Sequence, residues 1–180
     1  MGERWNESMT SDLHGNAAAE SFELLVKVSM DMEVFSSNWA YCDRLSSYIA
    51  KMISHNRTDS LLYSNLFSSA LNELLETAHR AHGRGEFVCS VSRRAEKDLI
   101  ELKIPCDAAG SHFYREAMSR LSQPDVGEQY RAALFSDGPL DPSIGLLELA
   151  VDYRARLAVE PAEESAVRLS AELSLEEDEG

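Results

Sequence analysis

Residues 60–107 read SLLYSNLFSSALNELLETAHRAHGRGEFVCSVSRRAEKDLIELKIPCD, and this stretch decides the fold. In its first half Leu62, Leu66, Phe67, Ala70, Leu71, Leu74, Leu75, Ala78 and Ala81 recur at spacings of three and four, the period of an α-helix with one apolar face. Thr58 with Asp59 supplies a start signal, and Gly83 and Gly85 a stop. After the glycines the period falls to two. Phe87, Cys89 and Val91 alternate within residues 86–94, and Leu99 or Ile100, Leu102 and Ile104 within 98–107. The polar Arg94, Ala95, Glu96 and Lys97 join the two runs, which predicts a β-hairpin.

Upstream, residues 22–34 alternate through Phe22, Leu24, Val26, Val28, Met30, Met32 and Val34, which predicts a strand with one buried face, broken only by Leu25. Trp39, Cys42, Leu45, Ile49 and Met52 then predict an amphipathic helix, capped by Ser36 or Ser37 and ending near His55 and Asn56. Downstream, residues 112–121 and 126–135 read as short helices on either side of Pro124. The loop Ser136, Asp137, Gly138 and Pro139 leads through Asp141, Pro142 and Ser143 into a helix to about Tyr153. Strands resume at 155–159 and 166–175. Segregated helices with hairpin-linked strands predict an α+β two-layer sandwich, with a mixed, mainly antiparallel sheet and helices on one face. Residues 1–20 show no sustained period and read as a flexible lead-in, 21–175 as a single domain and 176–180 as the end of an acidic tail.

The 180 residues suffice for one sizeable core, and 44% hydrophobic with 27% charged residues is ordinary for a globular chain. Seventeen basic against 31 acidic residues give a net charge of -14, which repels phosphate backbones and anionic lipid surfaces. Neither nucleic acid nor a membrane is therefore expected as a partner. Half of the net charge falls in residues 160–180, where eight acids accompany one base. Cys42, Cys89 and Cys106 show no CxxC spacing, and no basic-then-apolar segment opens the chain. The expectation is three buried thiols in a reducing cytoplasm.

Within the long helix Ser69, Glu73, Thr77 and Arg80 follow at spacings of four, four and three, so they share one polar stripe. Such a stripe is either the solvated edge of a half-buried helix or a row of working groups. His79 and His82, three apart, have the spacing of two zinc ligands, but no third ligand is nearby in sequence; placement at the negative end of the helix is the alternative. Arg80, Arg84, Arg93, Arg94 and Lys97 could form a basic patch facing phosphate or an acidic partner, or simply a solvated turn. No GxSxG nucleophile elbow is present.

The run Ala70, Leu71, Asn72, Glu73, Leu74, Leu75, Glu76, Thr77, Ala78 resembles the N-box helix of the Bergerat-fold (GHKL) ATP-binding proteins, which include histidine-kinase catalytic domains and anti-sigma-factor serine kinases. The strand-helix-helix opening, and the late segment from Ser143 and Gly145 to Tyr153, are similar to stand-alone bacterial regulators of the SiaB type. The resemblance spans about residues 20–175. It implies that Glu73 stands at the general-base position and Thr77 at the magnesium-ligand position, where the family has Asn. It also implies that Asp107 is the adenine anchor, followed by Gly110 in a DAAG version of the DxGxG turn, and that Gly145 belongs to the phosphate cover. Asp107 read from the residues alone is a strand-end turn former.

What the resemblance implies for function is a cytoplasmic bacterial signalling regulator. With the Asn and both glycine turns altered, it would act on a partner regulatory protein by contact, as a pseudokinase adaptor. One alternative is an active Ser/Thr protein kinase of the partner-switching kind, using ATP and magnesium. Another is a histidine phosphotransfer protein with His79 as acceptor.

Overall fold

Strand β1 (Glu23–Asp31) stops where its last residue becomes a helix cap. The Asp31 carboxylate accepts from the Glu33 amide at 2.8 Å and the Val34 amide at 3.3 Å, starting the short helix α1 (Met32–Ser36). The alternation through Val34 therefore overstates the strand: Met32 and Phe35 enter the core from a helix. Leu25, which breaks the alternation, is the extra residue of an irregularity between Leu24 and Val26 in the pairing with β2. The computed structural model describes residues 21–175 apart from His82 and Glu164, so the expected lead-in 1–20 and the tail 176–180 lie outside the described residues.

Helix α2 (Ala40–Ile53) takes its N-terminal support from Asn38, whose side chain accepts from the Ala40 amide at 3.0 Å, rather than from Ser36 or Ser37. Helix α3 (Ser60–His79) is capped by Asp59 as expected. It buries Tyr63, Phe67, Ala70, Leu71, Leu74, Leu75 and Ala78. The helix ends before the glycines, and Gly83 serves a different purpose: a Cβ there would lie 2.2 Å from the Pro105 carbonyl oxygen, so only glycine lets the chain cross that strand end. The hairpin of β2 (Glu86–Arg94) and β3 (Lys97–Pro105) turns through Ala95 and Glu96, with Ala95 at a φ of 52°. Three helices follow, α4 (Ala108–Leu121), α5 (Val126–Leu134) and α6 (Ile144–Val151), and then β4 (Arg156–Glu163) and β5 (Ala166–Ser174).

The five strands lie in the order β1-β2-β3-β5-β4, and all four pairings are antiparallel, so the α+β sandwich holds with none of the parallel pairing of a mixed sheet. Register sets one apolar face: Val28 lies opposite Cys89, Cys89 opposite Leu102, Leu102 opposite Leu169, and Leu169 opposite Val159. This face packs under the helices. The other carries Lys27, Ser29, Ser90, Glu101, Lys103, Arg168 and Glu172, polar side chains left to solvent and to ion pairs such as Lys97 with Glu172 at 2.9 Å. The three cysteines are free and buried. No helix among the described residues is long and apolar enough to cross a membrane.

Leu71 and Leu74, 0% and 1% exposed, sit at the centre of the helix-sheet interface. Truncation of either to alanine is expected to lower unfolding free energy by about 2 to 5 kcal/mol in urea titrations. An unchanged midpoint for both would show that this face does not form the core.

Candidate functional site

The polar stripe of α3 runs beneath α6. Glu73 meets Gly145 at the start of that helix: a Cβ on Gly145 would stand 2.5 Å from Glu73 Oε2. A side chain at 145 would push the Glu73 carboxylate aside, because that carboxylate lies against the helix backbone. Burial, with the negative charges of Glu148 and Glu76 nearby, pushes the Glu73 carboxyl up to about 7, against the opposing pull of Arg80. Glu148 is itself raised by burial and by Asp152, and Asp152 accepts from the Tyr130 hydroxyl at 2.9 Å. Tyr153 approaches Ser69 of the stripe from just beyond the end of α6.

One turn along, Thr77 is 3% exposed and its hydroxyl donates back to the Glu73 carbonyl at 2.9 Å. Tyr114 of α4, fully buried, donates its hydroxyl to the Thr77 carbonyl at 3.2 Å and closes that side. Arg80 completes the row outside, donating to the Pro142 carbonyl at 3.1 Å with its guanidinium over the Trp39 ring.

Asp107 and Gly110 belong to a different device. The Asp107 carboxylate accepts from the Gly110 amide at 2.8 Å and caps α4, so DAAG is the first turn of a helix, which begins four residues earlier than the apolar period predicts. A Cβ at Gly110 would come within 2.8 Å of the Cys106 Cβ, which explains the glycine by packing. Ser143, at the expected second glycine turn, is likewise engaged: its amide and hydroxyl both contact Asp141 Oδ1, and Arg120 bridges Asp141 and Ser143 at 2.9 and 2.7 Å.

The structure therefore brings Glu73 and Gly145 into contact and puts Thr77 beside them under Tyr114. Asp107 and Gly110 stand at the far start of the helix that carries Tyr114. The Thr77 hydroxyl is buried and committed to its own helix, and α6 abuts the Glu73 carboxylate. Tyr114, Glu148, Asp152, Tyr130 and Tyr153 were not singled out from sequence. A helical wheel of residues 144–153, which puts Gly145 and Glu148 on one side, could have found two of the groups near Glu73.

The other candidates resolve plainly. His79 lies between Phe35 and Trp39, with ring centroids at 5.7 and 4.8 Å, and its Nε2 is buried with no hydrogen-bond partner. His82 is outside the described residues, and no group of three or more His, Cys, Asp or Glu among the described residues could hold a metal ion. The basic patch disperses because alternation sends neighbours to opposite faces. Arg93 turns inward to Asp98 at 2.7 Å, Arg94 outward over Phe22, Lys97 pairs with Glu172, and Arg84 stands 3.2 Å from Glu33.

Because the folded Glu73 carboxyl titrates near 7 against an ordinary 4.5, the folded state holds its proton the more tightly. The associated stability is complete below about pH 4.5 and is lost as pH rises through about 7. Glu73→Gln, neutral throughout, should raise the melting temperature over wild type at pH 8 and change it little at pH 5. An equal effect at both pH values would place the carboxylate in water. No family model matches the chain and no curated protein matches it in sequence, so function has to be argued from this geometry.

Proposed function

We propose that this chain is a bacterial cytoplasmic signalling regulator with a histidine-kinase-like fold, and that it controls a partner regulatory protein by contact rather than by phosphoryl transfer. The observation that carries it is the burial of Thr77: the position that resembles the magnesium ligand is 3% exposed, its hydroxyl is hydrogen-bonded to its own helix, and its carbonyl accepts from the buried Tyr114 hydroxyl. Outward features favour a protein partner. Leu134, Phe135 and Leu140 stand exposed, Phe135 at 83%, beside a groove of about 650 Å³ between α4, α5 and the loop that follows. The net charge of -14 argues against nucleic acid and anionic lipid in that role.

A second reading, a Ser/Thr kinase of the partner-switching kind, is favoured by one observation. A carboxyl titrating near 7 is suited to take a proton from an attacking hydroxyl at neutral pH. Phosphotransfer through His79 is disfavoured by the aromatic enclosure of its ring and the burial of Nε2.

Calorimetric titration of wild type with magnesium-ATP is expected to give no binding heat, and Thr77→Asn none either, because the altered side chain remains buried. Phosphate transfer from ATP to a copurified protein by wild type, abolished in Glu73→Gln, would replace the adaptor with the kinase.

A further inference from the structure

The sheet ends on β4, and the hydrogen-bonding sense of that edge can be worked out from the other side of the sheet. The Cys106 amide donates to the Ser165 carbonyl at 3.0 Å, one step beyond Pro105 opposite Ala166. Antiparallel strands alternate between neighbours, so the odd-numbered residues of β5 bond to β3 and the even-numbered ones to β4. Their partners Arg156, Ala158 and Glu160 therefore bond inward. Leu157, Val159 and Pro161 turn their backbone groups to the open edge, where the missing N–H of Pro161 costs no ladder bond. The Ala155 amide is already used by the Leu149 carbonyl at 2.9 Å. The free edge thus offers two complete residues, Leu157 and Val159, centred on Ala158.

We infer that β4 pairs antiparallel with β4 of a second copy of this chain about a two-fold axis through Ala158, joining two five-stranded sheets into one. In this register Leu157 faces the partner copy's Val159 and Val159 its Leu157, so each N–H meets a carbonyl and four bonds form. Centring on Leu157 instead would set Val159 against the occupied Ala155 amide, and centring on Val159 would set Leu157 against Pro161. The side chains choose the same register. On the outer face Arg156 comes opposite Glu160, twice by symmetry, and the small Ala158 meets its own copy on the axis.

On the helix side Leu157 and Val159 are only half-buried. With Met118, Leu121, Ser122 and Ala155 they line a groove of about 220 Å³ that the second copy's Leu157 and Val159 would extend and cover. The opposite edge is unsuited to this. β1 carries the irregularity at Leu25, and although Lys27 and Asp31 there have the same spacing of opposite charges, the Asp31 carboxylate is already engaged as the cap of α1. The inference stands whether or not the adaptor reading holds.

Sedimentation equilibrium on the full chain tests it. Wild type is expected to dimerise, and Ala158→Glu, which puts two like charges on the axis, to be monomeric at the same concentration. Arg156→Glu alone and Glu160→Arg alone should each weaken self-association by about tenfold. An equimolar mixture of these two should form heterodimers, because each acid then meets a base. Melting curves like that of wild type would show that the variants fold. A wild type monomeric at its highest soluble concentration would overturn the inference, as would a dimer indifferent to Ala158→Glu with no rescue on mixing.

Discussion

A single carboxylate at the end of the sheet holds the two layers in register. Asp98 is fully buried on the helix-facing side of β3, where Arg93 bonds it at 2.7 Å, the Tyr63 hydroxyl donates to it, and Arg57 stands within 3.7 Å. Arg93 also reaches the Ile53 carbonyl at 3.2 Å and the Tyr63 hydroxyl at 2.7 Å. The cluster therefore ties the hairpin to the end of α2, to the loop after it and to the first turn of α3. A charge taken wholly out of water is tolerable only with such partners, and removing one of them typically costs about 3 to 5 kcal/mol. At the other end of α3, Tyr114 on Thr77 makes a second, neutral tie. Leucines between the two would accept many sliding arrangements; the polar ends do not.

That register explains why the candidate site is closed. With α3 fixed at both ends, α6 comes down on Glu73 through Gly145, and Glu148 of α6 adds its charge to that of Glu76 near a carboxyl already half out of water. A site with a titratable carboxyl near neutrality can arise from such packing without any ligand having shaped it, which is why burial at Thr77 weighs more in the functional argument than protonation at Glu73.

The sequence was most readable where periodicity and burial coincide. The apolar face of α3 from Phe67 to Ala78 and the alternation of β2, β3 and β5 appear in the structure, whereas Leu62 is exposed with Tyr63 buried in its place and β3 stops at Pro105, short of the 107 expected. It was least readable where one polar side chain decides. Asp31 and Asp107 each convert a strand end into a helix start, and nothing in the apolar pattern distinguishes a capping aspartate from a ligand-binding one. Asp98 next to Lys97 looks like part of a solvated turn, and its burial depends on Tyr63 and Arg57, 35 and 41 positions away. The polar stripe of α3 was visible, but the face of α6 that covers it follows only from the crossing of two helices. Arg93 and Arg94, adjacent in a basic cluster, part company as soon as strand geometry is imposed.

The kink of β1 at Leu25 has a consequence for how molecules of this chain can accumulate. A sheet with two straight, compatible edges can add copies head to tail without limit, and a fibre results. Here the two edges differ: one is bent by an extra residue, and the other is cut short by a proline and a second irregularity near Glu163. Edge-to-edge growth through β4 alone stops after one addition and leaves the irregular β1 edges outside. An irregularity such as that at Leu25 is one of the devices by which an edge strand resists further pairing.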